Sequence, residues 1–126
     1  MSARASLSAI RSAANPQVEA AWQLDEFAAS LTSSAANTVA AYCGDVESFI
    51  QWAARSEVVG PSMVDRLLLR RYVASLTTRN FAKRSVARKV SSLRRYFAFL
   101  RRTGVLVDDP SVALRAPSGD GRLPRV

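Results

Sequence analysis

Apolar residues recur at helical spacing in four separate stretches of this chain. Leu24, Phe27, Ala28 and Leu31 fall at i, i+3, i+4 and i+7. Upstream, Asn15-Pro16 has the form of an N-cap followed by proline at the first helical position, so a first helix is expected over about 16–31. After a break at Thr32-Ser-Ser34, with Ser34 the expected N-cap, a second helix over about 35–55 gathers Val39, Tyr42, Val46, Phe49, Ile50 and Ala53 on one face. Gly60-Pro61 interrupts the chain. Ser62-Met-Val-Asp65 then reads as a capping box opening a third helix over about 63–77, with Leu69, Tyr72, Val73 and Leu76 turned one way. The fourth helix, over about 83–102, has the clearest period: Val86, Val90, Leu93, Phe97 and Leu100 step by 4, 3, 4 and 3. Gly104 is placed to end it, and Asp109-Pro110 to start one short further helix reaching about Leu114. An all-α bundle is the expected fold.

Segments outside the helices suggest how the chain is divided. Residues 1–14 are rich in serine and alanine without a firm period and read as a loose tail. Residues 15–115 form the expected helical domain. Residues 116–126 contain Pro117, Gly119, Gly121 and Pro124 and read as a linker toward a further domain that the sequence does not contain.

Composition narrows the chemistry. There is no histidine, and the single cysteine is Cys43. Ser-His-Asp and Cys-His catalysis, a disulfide framework and His- or Cys-rich metal sites are therefore excluded for this chain alone, and no cofactor or metal is expected. Cys43 itself reads as a helix-surface residue with no base to activate it. No apolar run approaches the length of a membrane span, and the start lacks a secretory signal core, so a cytoplasmic setting is expected.

Charge changes the picture most. The formal net charge is +8, from 18 basic residues, 16 of them arginine, against 10 acidic ones. Residues 66–107 hold twelve bases and no acid, whereas residues 1–65 carry a net −4. Such a stretch repels itself unless it is solvated or meets a polyanion, nucleic acid first and an anionic membrane second. On the fourth helix Arg84, Arg88, Ser91, Arg95 and Arg102 lie almost opposite the apolar stripe. A solvated face is the ordinary explanation of charged helical positions. Solvated faces usually alternate in sign to gain i,i+4 pairs, however, and here Arg84 and Arg88 are like-charged at that spacing. Arginine forks suit phosphates and guanine edges, so this face is expected to bind nucleic acid: Arg88 reading a base, and Lys83, Arg84 and Arg95 holding phosphates. Ser85 and Ser91 add short polar groups. Tyr42, Phe49, Tyr72 and Phe97 lie on apolar stripes and are expected in the core. Trp52 is ambiguous, and Phe99, on the flank of the fourth helix, is expected to be covered by the short helix after Asp109, with a protein contact as the alternative.

The motif Thr38-Val-Ala-Ala-Tyr42-Cys-Gly-Asp45-Val-Glu-Ser-Phe49-Ile-Gln-Trp52 resembles a helix of the tyrosine recombinases. The run Lys83-Arg-Ser85-Val-Ala-Arg88-Lys-Val-Ser91-Ser-Leu93-Arg94-Arg-Tyr96-Phe97-Ala-Phe99-Leu100, then Gly104, Asp109-Pro110 and Leu123-Pro124, is similar to the Xer-type members in the same order. The likeness covers about residues 20–126. It implies an N-terminal core-binding domain, a four-helix SAM-like bundle that grips one face of double-stranded DNA. By the same resemblance the catalytic arginines, lysine, histidines and nucleophilic tyrosine belong to a C-terminal domain, and none is carried onto this chain. Groove contacts are implied for Thr38 and Ala41 on the second helix and for Arg84, Ser85 and Arg88 on the fourth. Ala40, Ala41 and Cys43 stand where relatives often have basic or long polar side chains. The implied chemistry of the parent enzyme is cofactor-free tyrosine attack on a phosphodiester and strand exchange, by homo- or hetero-tetramers of recombinase protomers. Chromosome-dimer resolution and segregation at cell division is the implied task, with phage or mobile-element integration as the alternative. A stand-alone helical DNA-binding regulator and an adaptor for an acidic protein are the rivals from other classes.

Overall fold

Four amphipathic stripes need a shared interior, and the chain supplies it by folding its helices around a cluster of aromatic rings. The computed structural model describes residues 21–118. The expected tail, the Asn15-Pro16 helix start and residues 119–126 of the linker lie outside the described residues. Among the described residues the helices are α1, Leu24–Ser30; α2, Ala36–Ala54; α3, Arg66–Thr78; and α4, Lys83–Arg102, with a 3-10 turn at Pro61–Met63 before α3. No strand occurs among the described residues. The α2 helix packs on both α1 and α4, and α3 closes against α4.

Phe49 stands at the centre. Its ring meets Trp22, Tyr72 and Phe97 edge-on at centroid distances of 6.2, 5.1 and 6.2 Å and stacks on Trp52 at 6.1 Å. Phe27 of α1 packs against Tyr96 at 5.4 Å and against Phe99 at 5.7 Å. Phe27, Phe49, Phe97, Leu69, Leu93 and Leu100 are fully buried. Each such side chain contributes about 1.5–3 kcal/mol relative to exposure. Tyr96 donates its hydroxyl to the Trp22 carbonyl at 2.5 Å, tying α4 to the chain two residues before α1. Phe99 is buried, but the ring packed against it is Phe27 of α1 and the short helix expected to cover it does not form. Trp52 is half-buried between Phe49 and Tyr72.

Helix ends account for the differences from expectation. The α4 bounds are those predicted, and Gly104, at φ 85°, ends the helix. The Gly104 amide donates to Arg101 and the Val105 amide to Leu100, the paired bonds of a Schellman motif. The first helix is not continuous over 16–31, because Gln23 adopts the left-handed conformation at φ 54° and separates Trp22 from α1. Ser34 is not the N-cap of α2; Ala35 is, without a side-chain bond. The capping box at Ser62 does not form. Pro61–Met63 takes up the 3-10 turn, and Asp65 is itself the N-cap of α3, accepting from the Leu68 amide at 2.8 Å. The short helix after Asp109-Pro110 is a turn: Asp109 Oδ1 accepts from both the amide and the hydroxyl of Ser111, at 2.8 and 2.6 Å, and binds the chain locally before a helix can propagate. Leu114 nevertheless docks into the core.

Candidate nucleic-acid interface

Arg84, Arg88, Ser91, Arg95 and Arg102 share the face of α4 turned away from the core. Lys83, Arg84, Arg88, Ser91, Arg95 and Arg102 are all exposed, and Ser85 is half-exposed at the edge. Ala82 caps α4 without a side-chain bond, and its first turn holds no acid. The orphan amides and positive dipole end of the helix thus coincide with Lys83 and Arg84, an arrangement that favours an arriving anion. On α2, Thr38 is exposed and Ala41 half-exposed. The two helical surfaces meet where the Arg95 guanidinium lies 5.4 Å from the centre of the Tyr42 ring. Tyr42 is half-buried, so it is partly core and partly a platform for Arg95.

A second feature underlies this surface, and charge counting along the sequence had missed it. Asp45, only 2% exposed, points from α2 into α4. Its Oδ2 accepts from Arg88 Nε at 3.0 Å and from Ser92 Oγ at 2.7 Å. Its Oδ1 accepts from Arg88 Nη2 at 2.7 Å and from Lys89 Nζ at 3.3 Å. A buried carboxylate is costly unless its lone pairs are filled, and here four donors fill them. Arg88 is therefore not a freely solvated cation; one edge of its fork is committed to Asp45, while half of its side chain stays exposed. Burial alone would raise the Asp45 pKa, but the hydrogen bonds from Arg88 and Ser92 and the charges of Lys89 and Arg88 outweigh it and hold the carboxyl below the usual range. A depressed folded-state pKa stabilises the fold at pH values above the unfolded value of about 3.9, and that contribution disappears as pH falls through the folded value. The stability difference between wild type and Asp45→Asn, followed by urea unfolding, should be constant from neutral pH down to about pH 5 and shrink below about pH 4.

Cys43, Tyr72 and Tyr96 are each shifted away from the ionised, nucleophilic form. Burial raises the Cys43 thiol, helped by the negative charges of Glu47 and Asp25, and the side chain is half-buried against the core rather than on the open helix surface. Burial pushes the Tyr72 phenol up to about 12 and lifts Tyr96 well above its ordinary value. Among the described residues, no helix is long and apolar enough to cross a membrane.

The family model for the phage integrase N-terminal SAM-like domain matches residues 24–104, from the start of α1 to the glycine that ends α4. The chain belongs to that family. Its curated relatives include the tyrosine recombinase XerC of Xanthomonas campestris, 33% identical over 91 residues, which are 72% of this chain and 28% of that protein. The XerD recombinases of Vibrio cholerae and Bradyrhizobium diazoefficiens are 35% and 38% identical over 91 and 92 residues, covering 72% and 71% of this chain and 30% and 28% of theirs. The chain thus spans less than a third of the length of these relatives. No solved structure matches it. Within the integrase SAM-like domain, the two helices named by the resemblance, α2 and α4, are the pair that share the Asp45 cluster and the Arg95–Tyr42 contact.

Proposed function

We propose that this chain is the duplex-DNA-binding part of a site-specific tyrosine recombinase, with the outer face of α4 against the DNA and Thr38 and Ala41 of α2 beside it. One observation carries the proposal: Arg84, Arg88, Arg95 and Arg102, all exposed, share one face of α4, which opens at an uncapped helix start in a stretch of 42 residues without an acid. Lys83, Arg84 and Arg95 hold backbone phosphates in this arrangement, and Ser85 and Ser91 add short hydrogen-bonding groups. The likeness to XerC and XerD recombinases supports placing the parent enzyme in the cytoplasm. There its catalytic domain would follow the linker after residue 115, tetramers would act on paired sites, and the task would be chromosome-dimer resolution. Integration of a phage or mobile element is the alternative that the family model's own description favours.

Two polyanions separate this proposal from an adaptor for acidic proteins. In fluorescence anisotropy at low salt, the chain should bind a labelled duplex saturably and ignore polyglutamate of matched charge. The reverse order of affinity would remove the proposal. Incubation with a nicked suicide duplex should leave no covalent band on a denaturing gel, since the chain has no histidine and carries none of the catalytic partners a tyrosine nucleophile needs. A covalent adduct on any tyrosine would place the chemistry in this domain instead.

A further inference from the structure

The Asp45 cluster gives Arg88 a property that its neighbours on α4 lack. A guanidinium offers five N–H donors on two usable edges. Asp45 takes the edge formed by Nε and Nη2, at 3.0 and 2.7 Å, and leaves Nη1 out of the cluster on a side chain that is half exposed. The carboxylate is itself immobile: it is buried, and Ser92 and Lys89 occupy its remaining lone pairs. We propose that Asp45 is a positioning residue for sequence readout, holding Arg88 in a fixed orientation so that its free edge recognises a guanine in the major groove. This rests on the reading of the α4 face as a duplex-binding surface.

Two physical consequences follow from the geometry. First, an exposed arginine normally loses much side-chain freedom when it docks on a base, and Arg88 has already given up that freedom in the folded protein. Second, the Asp45 charge offsets part of the Arg88 charge, so Arg88 attracts phosphate less than Arg84 or Arg95 do. Position, rather than charge, is what Arg88 contributes. Its place in the second turn of α4 suits base contact, since residues early in a groove-bound helix reach the base edges. The outermost cations of the first turn, Lys83 and Arg84, are left for the backbone.

The test is selection from a library of randomised duplexes by wild type, Arg88→Lys and Asp45→Asn, with thermal melts of all three. Arg88→Lys keeps the charge and loses the fork; Asp45→Asn keeps the shape and loses the charge that orients the fork. Wild type should enrich a guanine at one position. Both variants should lose that preference by roughly 10- to 100-fold while keeping the rest of the selected motif. On the best wild-type duplex, the slope of log affinity against log salt should change little for either variant. The Arg88 Nε–H resonance should exchange slowly with solvent in wild type and rapidly in Asp45→Asn. Should Asp45→Asn melt too low for selection, Arg88→Lys alone decides, because it leaves the buried carboxylate paired with Lys89 and Ser92. An unchanged guanine preference in Arg88→Lys overturns the proposal while leaving duplex binding intact. Failure of wild type to bind any duplex overturns the underlying reading instead.

Discussion

Asp45→Ala is expected to destabilise the domain by roughly 3–5 kcal/mol, the range seen when one partner of a buried ion pair is removed. The substitution leaves Lys89, whose side chain is only 10% exposed, without its carboxylate and strips Ser92 of its buried acceptor. Arg88 suffers less, since half of it is already in water. For a domain of about 100 residues a loss of this size lowers the melting temperature by on the order of 15 °C. It also removes a large part of a total stability that is typically about 5–15 kcal/mol. The exposed Arg84→Ala, by contrast, should stay within about ±0.5 kcal/mol of wild type. Thermal and urea unfolding of the two variants side by side checks the expectation. Equal stability for both would mean that the carboxylate is not the joint between α2 and α4.

Duplex binding should be steeply sensitive to salt. If Lys83, Arg84 and Arg95 each neutralise one phosphate and a further exposed arginine such as Arg102 adds a fourth, the slope of log affinity against log salt is about −3.6, from roughly −0.9 per contact. Raising salt from 50 to 200 mM would then weaken binding by roughly 100-fold. Arg84→Ala should lower the magnitude of the slope by about 1, equally on every sequence, because one fewer counterion is released. A phosphate contact carries no base information, so discrimination between duplexes should survive that change. Parallel lines for wild type and Arg84→Ala would remove Arg84 from the interface.

Features set by local sequence were legible, and those set by partners far along the chain were not. The bounds of α4 follow from the stepping of Val86, Val90, Leu93, Phe97 and Leu100 and from a glycine free to take the positive φ that ends a helix. The break at Gln23 left no mark, because nothing about glutamine announces a left-handed residue. The start of α3 was misplaced because Ser62 and Asp65 both suit an N-cap, and only the chain path, bent by Pro61 into a 3-10 turn, selects Asp65. The Asp45 cluster joins residues 43 to 47 positions apart, beyond the reach of i,i+4 reasoning. A signal was present, however. Tyr42, Asp45 and Phe49 share a helical face, so Asp45 sits on the buried stripe of α2, where an acid requires a cation. Lys89, between Val86 and Leu93, borders the buried stripe of α4 and meets that need.

Backbone amide shifts recorded while the isotope-labelled chain is titrated with a duplex test most directly whether this face is the one that meets DNA. Shifts should concentrate on Lys83, Arg84, Ser85, Arg88, Ser91 and Arg95 of α4 and on Thr38 and Ala41 of α2, and fade together as salt is raised. If the shifts gathered instead around the 3-10 turn and the Asp109 turn, with α4 unmoved at every salt concentration, the arginine face would be solvated surface and the assignment of α4 to DNA would be wrong.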